Sequence, residues 1–357
     1  MKIIILANSS KGLFGFRQEL IAELLKKNTV CAYTPDNGSV SAIKALGCEV
    51  FDLPVDRRGI NPQKDFTLFR RILAILKREK PDLVITYTIK PNIYGGLACR
   101  LRSVSYAVNI TGLGTAFQNK GILHRIVTIM YKFGLKEAKT VFFENEENRQ
   151  IFIKLGIVPE QKTCLLMGAG VNLTRYNVTE YPAGETTKFL FMGRVMKEKG
   201  IDELFEVMHR LTADGIDCSL DLLGSYEEDY KEIIEKYEAE GWLNYHGYQM
   251  DVTPFISATH CFVLPSWHEG MANTNLESAA SGRPVITTNI HGCLEAVEDG
   301  VTGYLVEKKN PDDLYRAMKK FAGLSYEKRK EMGLAGRKRM EKFFDKKNVV
   351  ENTISRL

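Results

Sequence analysis

Short apolar runs alternate with helical patterns along the whole chain. In the first half these runs are KIIILA, TVCAYTP, CEVFDLPV, DLVITYT, SYAVNITG and TVFFEN. Between them lie stretches whose apolar residues recur at helical spacing, such as FRQELIAELLKK and DFTLFRRILAILKREK. Short β-branched runs that alternate with helices are typical of βαβ units and a parallel sheet.

The same alternation restarts in the second half, with TKFLFMGRV, CSLDLLGS, LNYHGY, HCFVLPS, PVITTN and GYLVE. The segment between the two series, GAGVNLTRYNVTEYPAGETT, is rich in Gly, Pro and Thr and has no helical period. We therefore predict an α/β protein with two doubly wound, Rossmann-like domains, at residues 1–168 and 188–340, joined by a linker at 169–187. One long, charged last helix is expected from about residue 326, and its end, 341–357, is expected to pack back on the first domain.

Composition places the chain among globular proteins. Of its 357 residues, 44% are hydrophobic and 26% are charged, which argues against a disordered chain. The seven Cys are odd in number and include no C-x-x-C pair, which favours a reducing compartment over a disulfide or metal framework. The first apolar run is too short for a signal peptide or a membrane span. We therefore expect a cytoplasmic protein.

Charge is distributed unevenly between the two halves. Residues 1–165 carry 25 Lys and Arg against 14 Asp and Glu, a net charge of +11, whereas residues 166–357 carry 24 against 30, a net charge of −6. A basic half suggests contact with an anionic partner, although solvated surface charge explains it equally well. The modest total charge and the lack of a nucleic-acid motif argue against a nucleic-acid partner.

The stretch SWHEGMANTNLESAASGRPVIT holds two acids at the carboxyl end of a predicted strand. Glu269 opens the loop after HCFVLPS, and a helix is expected to start near Asn273, a good N-cap residue. Backbone N–H groups from Met271 to about Asn275 would then point out of the helix start, as in an anion site. Glu277, one turn further, can accept hydrogen bonds from two vicinal hydroxyls, as on a ribose. The alternative is an ordinary acidic helix start.

Two cations follow another predicted strand of the same domain. Gly193 and Arg194 end the run FLFMGRV, and Lys199 lies five residues after Arg194, at a helix start. Two fixed cations beside a helix N-terminus suit a diphosphate, although each alone is more simply a solvated charge. The chain has no D-x-D pair and no clustered His, so we predict no metal and no other cofactor.

Loops of the first half are expected to face the same ligand site. Lys90 and Asn92 follow the run DLVITYT, and Thr111 and Gly112 follow SYAVNITG. In the loop SSKGLFG, Gly12 should allow close approach of the backbone to phosphate groups.

These motifs, in this order, resemble the retaining family-4 glycosyltransferases, whose GT-B fold has two Rossmann-like domains facing across a cleft. The resemblance rests on Gly193-Arg194 with Lys199-Gly200, Glu269-x7-Glu277, SGRPVITT, GVTGYLV and the linker's GAGVNLTRY. It implies that Arg194 and Lys199 bind the donor diphosphate, that Glu277 binds the ribose, and that Glu269 contacts the donor sugar. Glu269, Arg194 and Lys199 are therefore the candidate catalytic residues. The nucleotide-sugar site would also include Gly12, Gly193, Gly270, Met271, Ala272 and Asn273.

The chain departs from this family at two positions. Ala272 stands where the family often has Pro, and Thr111 stands where many members have a His that is assigned a role at the sugar. Thr111 can donate a hydrogen bond but cannot become a cation. The Lys90-Pro91-Asn92 form resembles the subgroup that builds capsule, O-antigen or similar glycans on lipid carriers.

A basic segment from Arg57 to Lys80 admits two interpretations. It holds eight Lys and Arg against Asp65 and Glu79, with Leu68, Ile72, Leu73, Ile75 and Leu76 at roughly helical spacing. It is either a core helix with a solvated face or a contact with anionic lipid headgroups or a lipid-diphosphate acceptor.

The resulting hypothesis is a retaining, metal-independent hexosyl- or N-acetylhexosaminyl-transferase. It would move a sugar from a nucleotide sugar, expected to be UDP-linked, to a saccharide on a polyprenyl diphosphate, at the inner face of the plasma membrane. Two alternatives stay open: a nucleotide-sugar epimerase, and a non-catalytic sugar-nucleotide-binding subunit of a larger transferase.

Overall fold

The computed structural model describes residues 1–56, 61–114, 117 and 121–357. The chain folds into two compact units. Unit 1 comprises Met1–Ala169 together with Lys347–Leu357, and unit 2 comprises Gly170–Lys346. No helix among the described residues is both long and apolar enough to cross a bilayer.

Unit 1 is built on a parallel sheet of seven strands in the order β3-β2-β1-β4-β5-β6-β7. The strands are β1 Lys2–Leu6, β2 Thr29–Tyr33, β3 Glu49–Phe51, β4 Leu83–Tyr87, β5 Ser105–Ile110, β6 Thr140–Phe143 and β7 Thr163–Leu165. Most of their residues are Val, Ile, Leu, Phe or Tyr and are buried on both faces, as parallel strands covered by helices require. The six predicted strands are confirmed. The seventh, three residues long at the sheet edge, has too weak a pattern to be recognised.

Helices cover the two faces of this sheet and form two cores. They are α1 Ser10–Leu25, α2 Val40–Ala45, α3 Pro62–Glu79, α4 Gly96–Arg102, α5 Ile122–Leu135 and α6 Glu146–Lys154. A π-helical turn, Pro91–Gly95, leads into α4. One core joins α3, α4, α5 and α6 to the sheet, and the other joins α1 and α2 to it.

The glycine loop predicted after β1 is instead the first part of α1. The helix starts at Ser10 because Ser9 caps it, with its Oγ accepting from the Gly12 amide at 3.1 Å. The side chain of Asn37 also accepts from the Lys11 amide at 3.0 Å. Gly12 therefore lies within the first helical turn, where its amide is already bonded.

Unit 2 repeats the architecture with six parallel strands in the order β10-β9-β8-β11-β12-β13. The strands are β8 Thr187–Met192, β9 Cys218–Leu223, β10 Leu243–Gly247, β11 Cys261–Leu264, β12 Val285–Thr288 and β13 Gly303–Val306. The helices are α7 Ile201–Ala213, α8 Lys231–Ala239, α9 Thr253–Ala258, α10 Asn273–Ala280, α11 Pro311–Ala322 and α12 Tyr326–Phe343. The last helix, α13 Lys346–Ser355, begins at the end of unit 2 and otherwise belongs to unit 1. All six predicted strands of this unit are confirmed.

The predicted single last helix is wrong, because the chain breaks between α12 and α13. At the break, the carbonyl of Phe344 accepts from the Val171 amide at 2.8 Å, and the Lys346 amide donates to the Val171 carbonyl at 3.1 Å. The predicted linker thus pairs with the chain before α13. Val349 and Val350 of α13, the helix that continues into unit 1, pack into the cores of that unit.

Strand order reverses direction at one point in each sheet. In unit 2 this point lies between β8 and β11, which are hydrogen-bonded neighbours although they are far apart in sequence. In doubly wound sheets, ligands bind outside the carboxyl ends of the strands at such a switch point. The two loops predicted to carry Arg194, Lys199 and Glu269 are therefore the loops that flank it.

Candidate active site

The loops after β8 and β11 are attached to each other. The Trp267 amide donates to the Glu198 carbonyl at 2.9 Å. Gly200 has φ +72°, and a Cβ on it would lie 2.1 Å from the carbonyl oxygen of Pro265. Only glycine permits this approach, because an L-side chain disfavours positive φ and would collide with the backbone. The sequence thereby holds Lys199, next to Gly200, against the end of β11.

Lys199 and Glu269 form an ion pair across these two loops. The Lys199 Nζ donates to Glu269 Oε1, and Ser266 Oγ donates to the same oxygen at 2.8 Å. The side chains of Lys199 and Glu269 are only 16% and 12% exposed. Partial burial strengthens the attraction, and the ammonium keeps donor capacity beyond its bond to Glu269. Sequence reasoning chose both residues for separate roles and missed Ser266, whose hydroxyl carried no distinguishing pattern.

Arg194 lies in the same loop, and one of its guanidinium nitrogens has no hydrogen bond among the described residues. Its Nη1 is buried, no described group hydrogen-bonds to it, and Glu227 Oε2 lies 3.6 Å away. Its loop is held by Gly224, where a Cβ would lie 1.7 Å from the Gly193 carbonyl oxygen. A buried guanidinium nitrogen without a hydrogen bond is costly, so this arrangement suits an anionic ligand with acceptor oxygens.

The start of α10 differs from the prediction. Ala272, not Asn273, is the N-cap residue, and its side chain makes no capping hydrogen bond. Two of the amides expected to be free are used within the protein. Ala272 donates to the Gly292 carbonyl at 2.7 Å, and Asn275 donates to the Ala272 carbonyl at 3.0 Å. The Asn273 Nδ2 donates weakly to the Met271 carbonyl, at 3.3 Å. The start of this helix therefore offers an anion fewer free backbone amides than predicted.

Glu277 lies half-buried one turn into α10. Burial raises the pKa of its carboxyl to about 7. A hydrogen bond from Tyr176 and the positive charges of Lys346 and Arg175 act in the opposite direction and lower the pKa. Tyr176 and Arg175 belong to the predicted linker, which therefore contributes to the surroundings of this acid. Sequence reasoning missed Tyr176. Its position in GAGVNLTRY, a motif similar to the family's domain-joining motif, was the available signal.

No metal site accompanies these residues in the part of the chain that the structure describes. No three His, Cys, Asp or Glu side chains there come together as the ligands of a metal ion would. His291 hydrogen-bonds through Nδ1 to Glu295 Oε1 at 2.8 Å.

The predicted residues of unit 1 are mostly engaged inside the protein. Asn92 is 1% exposed. Its Oδ1 accepts from Thr86 Oγ1 at 2.7 Å, and its Nδ2 donates to the Asn109 carbonyl at 2.9 Å. Tyr131 of α5 also hydrogen-bonds to it. Asn92 therefore joins β4, β5 and α5 from within the core and does not present its amide to solvent.

Lys90 is also paired within unit 1. Its Nζ donates to Asp65 Oδ1 at 2.7 Å, and Tyr94 donates to the other carboxylate oxygen at 3.1 Å. Thr111 and Gly112 are half-buried after β5. They have the exposure that a ligand contact requires.

The basic segment forms α3 largely as predicted. Leu68, Ile72, Ile75 and Leu76 are buried, so the helix packs on the sheet as a core element. Arg70, Arg71, Lys77 and Arg78 are exposed. Arg78 bonds to Glu79 at 2.7 Å and to the Tyr33 hydroxyl at 3.0 Å. Arg57 and Arg58, also assigned to this segment, lie outside the described residues.

Two family models match the chain in succession. The model described as "Glycosyl transferase 4-like" matches residues 2–145, and the model "Glycosyl transferases group 1" matches residues 179–339. The two matches together cover most of both sheets. The chain belongs to the family-4 glycosyltransferases.

Relatives of this glycosyltransferase match over most of their length. One is the N,N'-diacetylbacillosaminyl-diphospho-undecaprenol alpha-1,3-N-acetylgalactosaminyltransferase of Campylobacter jejuni, 24% identical over 88% of this chain and 87% of the relative. Another is the UDP-Gal:alpha-D-GlcNAc-diphosphoundecaprenol alpha-1,3-galactosyltransferase of Escherichia coli, 27% identical over 82% of this chain and 78% of the relative.

Solved structures show that this glycosyltransferase has the GT-B fold. The Anabaena protein Alr3699/HepE, solved in complex with UDP and glucose, superposes with a TM-score of 0.82. The match covers 100% of both chains at 14% sequence identity. Each unit thus corresponds to one Rossmann-like domain of the GT-B glycosyltransferases.

Proposed function

We propose that this glycosyltransferase moves a sugar from a UDP-sugar to a saccharide carried on polyprenyl diphosphate, with retention of the anomeric configuration and without a metal ion. The observation that carries the proposal is the arrangement at the end of β8. There, the Lys199–Glu269 pair shares its loops with Arg194, whose buried Nη1 has no hydrogen bond within the described protein.

Arg194 and Lys199 are assigned to the diphosphate of the donor. Two cations from one loop can take the charge that develops on the leaving diphosphate, which is the role that Mg²⁺ would otherwise fill. Lys199 can serve this anion while it stays bonded to Glu269, because an ammonium has three donors. Arg194 offers a planar donor pair that matches phosphate oxygens.

The two acids are assigned to the sugars on either side of this diphosphate. Glu277, with Tyr176 beside it, would accept hydrogen bonds from the ribose hydroxyls. Glu269 would contact the transferred sugar, because it lies nearer the end of β11 and is held by Lys199 and Ser266. A fixed carboxylate places the sugar relative to the acceptor, which is a larger contribution than a proton transfer would be here.

The proposed reaction needs no strong protein base. The bond between the anomeric carbon and the diphosphate oxygen breaks as the acceptor oxygen attacks the same face of that carbon. The acceptor proton passes to an oxygen of the leaving diphosphate. The atoms and charges then balance without a further reactant, and the protein contributes placement and charge stabilisation.

The donor and acceptor classes rest on the relatives. The names of both relatives specify acceptors on diphospho-undecaprenol, and that of the Escherichia coli enzyme specifies UDP-Gal. The matching Anabaena structure holds UDP and glucose. A lipid-linked acceptor would place the enzyme at the cytoplasmic face of a membrane, as a peripheral protein.

The test is transfer from a panel of donors. The purified protein is incubated with UDP-Glc, UDP-Gal, UDP-GlcNAc or UDP-GalNAc and with detergent-dispersed N-acetylhexosaminyl diphosphate lipids, in buffer with excess EDTA. We expect one donor to give an elongated lipid by mass spectrometry, with an α linkage by NMR. GDP-mannose serves as the control for nucleotide selectivity.

Three outcomes would contradict the proposal. A β linkage would exclude retention, and activity that disappears with EDTA and returns with Mn²⁺ or Mg²⁺ would exclude metal independence. Interconversion of donors in the absence of acceptor would indicate an epimerase.

A further inference from the structure

Helix α5 of unit 1 carries a stripe of large apolar side chains that face solvent. Ile122, Ile126, Ile129 and Phe133 are 79%, 49%, 52% and 58% exposed. Their spacing of four, three and four residues places them along one side of the helix. Single exposed apolar residues are ordinary, but an aligned group on one helix marks a contact surface.

This stripe lies opposite the face by which α5 packs on its sheet. Thr128, Tyr131, Gly134 and Leu135 are buried, and they lie about half a turn around the helix from the stripe. A surface helix normally presents polar residues on the side away from the core. In α5 both sides are apolar, so the outer side requires an explanation beyond folding.

Cations border the stripe, and the nearest acid in sequence is Glu137, which follows the helix and pairs with Arg100 at 3.3 Å. From Leu83 to Lys136 the sequence contains no Asp or Glu. Arg125, Lys132 and Lys136, spaced by seven and four residues, follow one edge of the stripe and are all exposed. An apolar stripe with Lys and Arg beside it is the pattern of helices that lie in the headgroup region of an anionic bilayer.

We infer that the outer face of α5 is a membrane-docking surface, on which Ile122, Ile126, Ile129 and Phe133 enter the interface of an anionic bilayer. Arg125, Lys132 and Lys136 would then contact lipid phosphates. The apolar anchor extends over about three turns of the helix, which would therefore lie along the membrane surface. The inference deepens the proposed function, since a polyprenyl-linked acceptor resides in such a bilayer, but its test uses neither donor nor acceptor.

Helix α3 has the opposite balance and serves as the internal comparison. Its exposed face carries Arg70, Arg71, Lys77 and Arg78 but only one strongly exposed apolar residue, Phe66, at 60%. Such a face can attract an anionic membrane surface, but it lacks the aligned apolar side chains that would insert into the bilayer. On this inference, the apolar anchor of the membrane contact lies on α5 and not in the basic segment predicted from the sequence.

The experiment measures vesicle binding by co-sedimentation at low salt. Vesicles contain phosphatidylglycerol with phosphatidylcholine, or phosphatidylcholine alone, and no polyprenyl lipid. The apolar variant replaces Ile122, Ile126, Ile129 and Phe133 with Ser, and the charge variant replaces Arg125, Lys132 and Lys136 with Glu. We expect the charge variant to bind anionic vesicles at least about 100-fold more weakly than the wild type, since each cation contributes about a factor of five. The apolar variant should bind about 600-fold more weakly, since each of its four inserted side chains contributes about as much.

The matched control replaces Tyr248 and Met250, two exposed residues of unit 2, with Ser, and it should bind vesicles as the wild type does. Insertion is tested separately with Phe133→Trp, whose fluorescence should be quenched by brominated phosphatidylglycerol, above the background from Trp242 and Trp267. A Met250→Trp variant should show no added quenching. Thermal unfolding should be unchanged in all variants, because the replaced side chains are exposed.

Several results would overturn the inference. They are unchanged vesicle binding by the apolar variant, a lack of wild-type binding to anionic vesicles, or quenching that is equal for Phe133→Trp and Met250→Trp. Sedimentation velocity tests the alternative that a second copy of this chain covers the stripe. A wild-type dimer that the apolar variant converts to monomer, without vesicle binding by either, would identify the stripe as a subunit interface instead.

Discussion

The carboxyl edges of the two sheets have the same topology but use their polar side chains differently. In unit 2, Arg194 has a buried nitrogen without a hydrogen bond among the described residues, and Lys199 and Glu269 pair across two loops. In unit 1, Asn92 is fully engaged inside the core and Lys90 is paired with Asp65. A polar residue after a strand thus indicates a ligand site only where the fold leaves it with spare hydrogen-bonding capacity.

The difference arises from the path of the backbone after the strands of each unit. In unit 2 the loops after β8 and β11 are joined by a backbone hydrogen bond from Trp267 to Glu198. Their side chains therefore stay at the carboxyl edge of the sheet. In unit 1 the chain leaves β4 through a π-helical turn that carries Asn92 back over the sheet, where a buried amide must be satisfied. At the first edge, Arg194 and Lys199 lie beside carboxylates but keep hydrogen-bond donors for a ligand. At the second edge, the amide of Asn92 is used within the fold.

Removal of either cation should give the largest effect. Arg194→Ala and Lys199→Ala should each lose about 2–4 kcal/mol of transition-state stabilisation, or roughly 30–1,000-fold in kcat/KM, because each removes a charge beside the leaving diphosphate. Steady-state kinetics with the identified donor checks this. Lys197→Ala, two residues from Lys199 with a 61% exposed side chain, is the matched control and should be near the wild type. Normal turnover by either variant would remove the diphosphate assignment.

A substitution of Asn92 tests the structural role assigned to the polar residues of unit 1. Asn92→Ala leaves Thr86, Tyr131 and the Asn109 carbonyl without a partner, which should lower the free energy of unfolding by about 2–3 kcal/mol. Denaturant unfolding measures this loss, and the donor KM of the folded variant should stay at the wild-type value. A variant of normal stability that fails only in transfer to the acceptor would restore the predicted acceptor role of Asn92.

The sequence predicted the fold more completely than the site. Twelve strands were recognisable because β-branched apolar runs between helical periods are a local signal. The break between α12 and α13 was not, because it depends on Val171 pairing with Phe344 and Lys346 from far along the chain. The charged residues of the candidate site were predicted from motif and position, and the structure places Lys199 beside Glu269. Two of their partners were missed: Ser266, whose hydroxyl belongs to no distinguishing pattern, and Tyr176, which contacts Glu277 from far along the chain.

The two acids should divide their effects between binding and turnover. Glu277→Ala should raise the donor KM about 10-fold, since ribose contacts are similar in the ground and transition states. Glu269→Ala should instead lower kcat by about 10–100-fold, since it acts beside the reacting sugar. Ser266→Ala, which removes one hydrogen bond to Glu269, should lower kcat less. Steady-state kinetics on the three variants decides, and the reverse pattern would exchange the roles of the acids.

Glu277 also predicts a pH dependence of stability. Its pKa is raised to about 7 in the folded protein. The folded state therefore binds more protons than the unfolded state between about pH 4.5 and 7, and this group lowers stability as the pH rises through that window. Glu277→Gln keeps an acceptor for Tyr176 and removes the ionisation. The Tm of this variant, measured relative to the wild type by scanning fluorimetry, should therefore increase from pH 5 to pH 8. Parallel Tm profiles would contradict the burial of this carboxyl.

The smallest effect should come from the departure at Ala272. Its backbone φ of −76° suits the Pro that the family often has there, but its N–H donates to the Gly292 carbonyl at 2.7 Å. Pro has no N–H to donate, so Ala272→Pro should cost about 1 kcal/mol and lower Tm by about 2–4 °C. Ala272→Ser adds a side-chain atom at the same buried position but keeps the N–H, so it separates the bond from the packing. If Ala272→Pro were the more stable of the two, the Gly292 bond would contribute nothing.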